Sequence, residues 1–161
     1  STIVPLYTRF HLGMTLTELS LIMASRSVGV ILGTVSGGWL SDRIGRAQVL
    51  VIGLILTTLS VFFIPMTSML VILALLMCMH GVSFGYAYCT TPILVTEMFQ
   101  SMMGLSIGLY RTFFDLGGLM GPFIVMAIVS SHGYIVAFYA MAGLMLLNLV
   151  ISLLLRRKTT S

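Results

Sequence analysis

Charged residues are scarce in this chain. Of its 161 residues only 7% are Asp, Glu, Lys or Arg, with eight basic side chains against four acidic ones. Soluble domains carry about 25% charged residues, whereas 58% of the residues here are hydrophobic. With a mean hydropathy of +1.12, the composition excludes a soluble globular domain. It predicts an all-α, polytopic bundle of transmembrane helices with the lipid bilayer as its solvent.

Cysteine and histidine are too few and too dispersed for a metal centre. Cys78 and Cys89 fall in one apolar stretch without ligand spacing, and His11, His80 and His132 lie in three separate regions. The sequence also contains no Ser/His/Asp or Cys/His constellation and no phosphate-binding loop. We therefore expect no enzyme activity, no cofactor and no metal. The net charge is +4, and six of the eight basic residues lie at loop ends or in the tail, so we expect no nucleic-acid partner.

Five long apolar runs predict membrane spans at about residues 19–40, 49–64, 69–95, 103–130 and 134–155. Residues 1–6 are too short to span and are expected to be the outer end of a helix whose beginning is absent. Because the chain also starts with Ser rather than Met, we expect a fragment or a processed piece. Residues 7–17 are predicted to form a loop, with Thr17 as the N-cap of the next helix.

The basic residues predict how these spans are oriented. Alternation places one group of basic residues on the first side of the membrane, namely Arg43, Arg46, Arg156, Arg157 and Lys158. The opposite side holds only Arg9. Because cytoplasmic loops carry an excess of Lys and Arg, the sequence predicts that loop 42–46 and the carboxy terminus are cytoplasmic. The expected location is the cell membrane.

The most polar stretch lies between the first two spans, at residues 38–50. Lipid offers backbone groups no partners, so this connection must reach water, and Gly45 permits a tight reversal. Its matches to the pattern G-x-L-x-D-R-x-G-R-[R/K]-x-x-L are Gly38, Leu40, Asp42, Arg43, Gly45, Arg46 and Leu50. The stretch resembles the signature loop of the major facilitator superfamily, although Ala47 replaces the second basic residue.

The resemblance implies a conformational latch at this loop. Its members would be Gly38, Asp42, Arg43, Gly45, Arg46 and Glu97. Asp42 would meet the cytoplasmic end of a helix from the opposite half of the transporter, because a helix N-terminus favours a carboxylate by about 0.3–1 kcal/mol. Glu97 ends the third span at the same level, and we expect it to pair with Arg43 or Arg46.

Two later stretches are similar to the same family. Residues 81–92 carry Gly-x-x-x-Gly and a later Pro, and they resemble the fourth helix of a six-helix half. Residues 108–126 fit most of the pattern G-x8-G-x3-G-P of proton-coupled antiporters, with Val125 and Met126 in place of its final glycine pair. The resemblance implies the carboxy-terminal half of a drug- or solute-antiporter-like transporter, lacking most of its first helix. The amino-terminal half is the alternative.

Small residues recur on two of the predicted helices. In the first span they stand at every fourth position, at Ser25, Gly29, Gly33 and Gly37. Such a stripe lets another helix approach closely, and we expect it to face a second six-helix half. That half would lie upstream in the same chain or in another copy. Gly117 and Gly121 predict a second packing face.

Ionisable side chains inside a membrane span are expensive, at about 2.5–3.5 kcal/mol each on insertion scales. The predicted spans contain Arg26, His80, Arg111 and Asp115. We expect them to line one cavity near mid-depth and to serve substrate binding or coupling. Three alternatives remain open. Arg111 and Asp115 would neutralise each other, His80 would bond a backbone carbonyl, and Arg26 would snorkel to the outer interface.

Two hypotheses of function follow. The first is a secondary transporter half that moves a small molecule by alternating access, with H+ as a candidate coupling ion and efflux as a candidate direction. The second is a truncated, inactive membrane scaffold, which predicts no central cavity and mutual pairing of all charges.

Overall fold

The computed structural model describes the backbone of residues 3–159 and the side chains of residues 3–153. The predicted cytoplasmic tail of basic residues lies outside the described side chains. Within the described part the chain is helical and contains no strand, which confirms the all-α prediction. The α-helices are α1 (Ile3–Leu6), α2 (Leu16–Ile44), α3 (Arg46–Phe63), α4 (Leu70–Met98) and α5 (Met103–Thr159), with a π-helical turn at Tyr7–His11 and 3₁₀ turns at Ile64–Met66 and Gln100–Met102.

The long helices α2 to α5 are apolar and long enough to cross a membrane. Helix α5 has 57 residues, and a straight helix of that length would extend about 85 Å, against a hydrocarbon core of about 30 Å. Its helical backbone is interrupted at Gly133, where φ is 84° and ψ is 171°. Pro122 and Met141, from either side of Gly133, line one cavity, so the chain turns back on itself there. The division into spans at 103–130 and 134–155 remains a prediction.

The amino-terminal loop is shorter than the sequence predicts. Helical turns continue to His11, and α2 already begins at Leu16. The N-cap is Thr15 rather than the predicted Thr17. The Thr15 hydroxyl accepts a hydrogen bond from the Glu18 backbone N–H at 3.3 Å, and the Glu18 carboxylate accepts one from the Thr15 N–H at 2.8 Å. This capping box requires Glu three residues after the cap, which Thr15 has and Thr17 lacks.

The signature loop between the first two spans is reduced to one residue. Helix α2 runs to Ile44 and α3 begins at Arg46, so Gly45 alone joins them. Its φ of 93° and ψ of 146° lie in a region that is almost exclusive to glycine. The polar residues on either side are therefore helical, and their side chains are fixed by two rigid helix ends.

Helices α2 and α4 touch through their backbones. Gly29, Gly33 and Gly37 are buried, and a Cβ added at Gly33 would lie 2.7 Å from the Cα of Val82 on α4. A Cβ added at Gly85 of α4 would lie 2.6 Å from the backbone nitrogen of Thr34. The small-residue stripe thus packs on α4, and the expectation that it faces a second half is wrong. The reason is that α4 carries its own matching glycines.

Two predicted packing positions lie elsewhere. Ser25, at the start of the stripe, is half-buried and lines a groove with Cys78. Gly117 and Gly121 of α5 have open space within 4 Å of an added Cβ, so they make no close helix contact within the described chain.

A hydrophobic cluster joins the remaining helices at the end where α2 and α4 begin. Its members are Ile3, Val4, Tyr7, Met14, Ile22, Val61, Ile64, Leu73, Met77, Ala137, Phe138 and Ala142. Tyr7 packs edge-on against Phe138, with ring centroids 5.2 Å apart. This contact places α1 and the second part of α5 against the body formed by α2, α3 and α4.

The backbone contact between α2 and α4 predicts different effects for two glycines of α2. Gly33→Ala should destabilise the protein by about 1–3 kcal/mol, the usual effect of overpacking. Gly38→Ala is the matched control, because a Cβ there meets nothing within 4 Å and alanine favours a helix by about 1 kcal/mol. Thermal unfolding in detergent should lower the midpoint for Gly33→Ala alone. Equal midpoints for the two variants would contradict the packing.

Candidate functional site

A cavity of about 330 Å³ lies inside the helix bundle. Each of the five α-helices contributes to its wall. Its polar lining residues are Arg26, Thr57, His80 and Ser83, and apolar side chains such as Phe84 and Met145 complete it. The cavity is therefore a mostly apolar space with a few polar groups, which is the usual composition of a small-molecule site.

Arg26 reaches this cavity from α2 and has no acidic partner among the described residues. Its guanidinium carbon lies 5.3 Å from the centre of the Phe84 ring, a cation–π distance. The Nε–H is buried and has no hydrogen-bond partner in the described chain. A buried donor without an acceptor costs about 1–3 kcal/mol, and more when charged. The acceptor therefore has to come from outside the described residues, from another helix, from water or from a bound molecule.

His80 reaches the same cavity from α4. Its Nδ1 is buried and also lacks a hydrogen-bond partner in the described part of the chain. The alternative of a ring bonded to a backbone carbonyl is thus not observed at Nδ1. The backbone carbonyl of His80 accepts a hydrogen bond from Ser83 at 2.7 Å, which holds this turn of α4 in place beneath the ring.

Arg26 and His80 lie at the same depth. Each is ten residues into its helix, counted from Leu16 and from Leu70, which is about 15 Å along the axis. The two helices run parallel and touch beside these residues, because a Cβ added at Gly81 would lie 3.0 Å from the Cα of Gly29. The close contact brings the guanidinium and the imidazole to one cavity.

A hydrogen-bonded pair that the sequence analysis did not single out also lines this cavity. The Thr57 hydroxyl on α3 donates to Ser83 Oγ on α4 at 2.6 Å. Small hydroxyl residues in apolar spans usually bond their own helix backbone, so nothing in the sequence distinguished these two. The contact ties α3 to α4 at the level of His80.

Arg111 and Asp115 lie outside this cavity. Arg111 Nε is 3.4 Å from Asp115 Oδ2, and the two side chains are 60% and 61% exposed. The predicted sharing of one cavity by Arg26 and Asp115 is therefore not found. The physical reason is the rotation of α5, which turns this ion pair away from the bundle interior. The two charges neutralise each other on the exposed side of the helix.

The signature residues form a second, open site at the junction of α2 and α3. Arg46 makes an ion pair with Glu97 at the end of α4, so of the two expected partners of Glu97 the structure selects Arg46. Arg43 lies over the Trp39 ring, 4.1 Å from its centre. Asp42 is exposed and lines a cavity of about 550 Å³ beside this ion pair. Gly38 is half-buried, with open space around an added Cβ.

Several curated proteins are similar to this chain. A probable sulfoacetate transporter from Cupriavidus necator is 26% identical over 86% of the chain and 32% of its own length. An arabinose-proton symporter from Escherichia coli is 28% identical over 90% and 30%. The multidrug resistance protein MdtG from Salmonella arizonae is 30% identical over 82% and 33%. The chain thus spans about a third of the length of these relatives.

No solved structure matches the chain. The family model described as Major Facilitator Superfamily matches residues 1–161. That match agrees with the apolar helices of a multi-pass integral membrane protein, and it points to a transporter rather than to an enzyme. The chain belongs to the major facilitator superfamily.

Proposed function

We propose that this chain is one half of a secondary transporter, which moves a small solute across the membrane by alternating access. The solute would bind in the cavity beside Arg26 and His80. One observation carries this proposal: two buried polar atoms from different helices, Arg26 Nε and His80 Nδ1, point to a missing partner. Intramembrane ionisable groups of this kind mark substrate or ion pathways.

An inactive membrane scaffold is the competing function. It requires a bundle without a central cavity and with every charge paired. The cavity of about 330 Å³ and the absence of an acidic partner for Arg26 in the described chain both favour the transporter.

The carboxy-terminal half is the assignment that we propose, with the amino-terminal half as the alternative. The partner would be a second six-helix half, upstream in the same chain or in another copy. Support comes from the face of α5 that carries Gly118 and the ion pair of Arg111 with Asp115. This face is exposed or half-buried and makes no close helix contact in the described chain, so a second bundle has room to pack there.

Protons are the coupling ion that we propose, with efflux as the direction. One relative is named as a proton symporter and another as a multidrug resistance protein. His80 is the titratable side chain in the cavity, and Asp115 is a second candidate on the exposed face of α5. We place the protein in the cell membrane, with Gly45 and its neighbours on the cytoplasmic side.

The latch is proposed at Asp42. Arg46 is already paired with Glu97 and Arg43 lies on Trp39, so both nearby cations are engaged. Asp42 is exposed and makes no ion pair among the described residues. Its carboxylate is therefore available to a helix N-terminus of the partner half, at an energy small enough to break in each cycle.

Removal of the Arg26 charge tests the transport site. Arg26→Gln should abolish solute-dependent proton flux in membrane vesicles, because the solute loses the charged contact that the described residues offer it in the cavity. Sulfoacetate, arabinose and ethidium would each be offered, with a pH-sensitive dye as readout and western blotting for expression. Arg9→Gln is the matched control, since Arg9 bonds only the Met14 carbonyl in the described chain. Flux at the native rate in Arg26→Gln would refute the site.

The ion pair at the signature loop predicts a charge-swap rescue. Arg46→Glu and Glu97→Arg should each lower the flux, because like charges then face each other where α3 and α4 meet. The double swap should recover most of the loss, because it restores opposite charges at the same two positions. The energy involved is about 0.2–1 kcal/mol, the usual range for an exposed pair. Losses that simply add in the double variant would show that the two side chains act separately.

The proposed orientation is testable by cysteine labelling. In a background with Cys78 and Cys89 replaced by Ala, Ala47→Cys and Ser131→Cys introduce exposed single cysteines. An impermeant maleimide added to intact cells should modify Ser131→Cys only, whereas permeabilised cells should show both. Labelling of Ala47→Cys alone in intact cells would show the opposite orientation and contradict the proposal.

A further inference from the structure

The cavity beside Arg26 and His80 has an unequal supply of donors and acceptors. Arg26 contributes N–H donors and no acceptor. The hydroxyl protons of Thr57 and Ser83 are already committed, to Ser83 Oγ and to the His80 carbonyl. Among the described residues, no carboxylate lines the cavity. Arg26 therefore presents unpaired N–H donors on a positively charged group, and a negatively charged acceptor would satisfy them best.

From this imbalance we infer that the cavity binds a compact carboxylate or sulfonate. This inference rests on the proposed transport function and names its substrate class. Arg26 would bind the anionic group through Nε and a neighbouring N–H, as its planar fork allows. His80, in the tautomer with its proton on Nδ1, would donate to a second oxygen.

The rest of the wall limits the size and shape of the ligand. The cavity of about 330 Å³ is completed by apolar side chains, among them Met77, Phe138 and Met141. A water molecule takes up about 30 Å³ in the liquid, so the space suits an anion with a short apolar body. Phe84 covers one face of the guanidinium, which leaves the N–H groups at its edge for the anion.

This site is built within one helix bundle. Its lining residues come from α1, α2, α3, α4 and α5 of the described chain. Helices α2 and α4 are fixed by glycine contacts and α3 by the bond of Thr57 to Ser83. The donors are therefore held in position before the ligand arrives, which reduces the free energy lost on binding.

Anion-dependent thermal stabilisation of the purified protein in detergent tests the inference. Sodium acetate and sodium methanesulfonate are the probes, in a buffer of low ionic strength, with sodium chloride at matched concentration as the control for ionic strength. Acetamide is the neutral isostere. Both anions should raise the unfolding midpoint saturably, and acetamide should not. A saturable effect of sodium chloride alone would indicate a resident inorganic ion and overturn the inference.

Four variants locate the effect. Arg26→Gln should weaken the apparent affinity about tenfold to a hundredfold, the range for a lost charge-assisted hydrogen bond. Arg26→Lys keeps the charge and should bind more weakly than the native protein but better than Arg26→Gln. His80→Asn keeps a donor near the Nδ1 position and should retain binding, whereas His80→Gln displaces the donor and should lose it. If all four variants bound the anions with the affinity of the native protein, the assignment of the anion site to Arg26 and His80 would be overturned.

The binding and flux measurements test the anion site and the transport function separately. Flux of a neutral solute without stabilisation by either anion would leave the transport function standing and refute the anion site. Saturable binding of acetate or methanesulfonate that depends on Arg26, without flux of any solute, would support the anion site and refute transport. Arg9→Gln should keep the native affinity, because its side chain lies away from the cavity. A loss of binding in Arg9→Gln equal to that in Arg26→Gln would show that binding depends only on the net charge of the protein. That result would overturn the assignment of the anion to this cavity.

Discussion

The direct backbone contact between α2 and α4 is the constraint on which the rest of the structure depends. Any side chain larger than hydrogen at Gly33 or Gly85 would collide with the facing backbone. In lipid there is little hydrophobic driving force between helices, so close packing has to supply the attraction. The same contact aligns the two helices in parallel and brings Arg26 and His80 to one level. The position of the candidate site is thus a consequence of helix packing by glycine.

A charged side chain in this position has to be compensated. Insertion of an arginine near mid-membrane costs about 2.5–3.5 kcal/mol, and the bundle offers Arg26 an aromatic ring but no carboxylate among the described residues. Arg111 and Asp115 show the other solution, in which a charge is neutralised four residues away on its own helix. The contrast separates two kinds of intramembrane charge. The charge of Arg111 is neutralised within the chain, whereas Arg26 has no acidic partner among the described residues.

The sequence predicted local features better than relative rotations of helices. Composition and apolar runs were sufficient for the all-α membrane fold, and loop spacing was sufficient to expect a partner for Glu97. The glycine stripe was correctly read as a contact face, but the sequence could not identify α4 as its partner. Asp115 was misplaced for a related reason. Spacing of four residues fixes Asp115 relative to Arg111, whereas the rotation of α5 depends on packing over its whole length. The hydrogen bond between Thr57 and Ser83 could be identified only from the structure, because it joins two different helices.

The contacts between α2, α3 and α4 have a consequence for how the proposed transporter would move. Gly45 joins α2 to α3 without a flexible loop, and Arg46 with Glu97 ties α3 to α4 at the same end. Thr57 and Ser83 tie them again at mid-depth. Three helices connected at both levels resist bending against one another, because packed interiors deform little. Alternating access would then displace the whole bundle against its partner. The part of the cavity wall formed by α2, α3 and α4 would keep its shape during that motion, while the connection of the cavity to water would change.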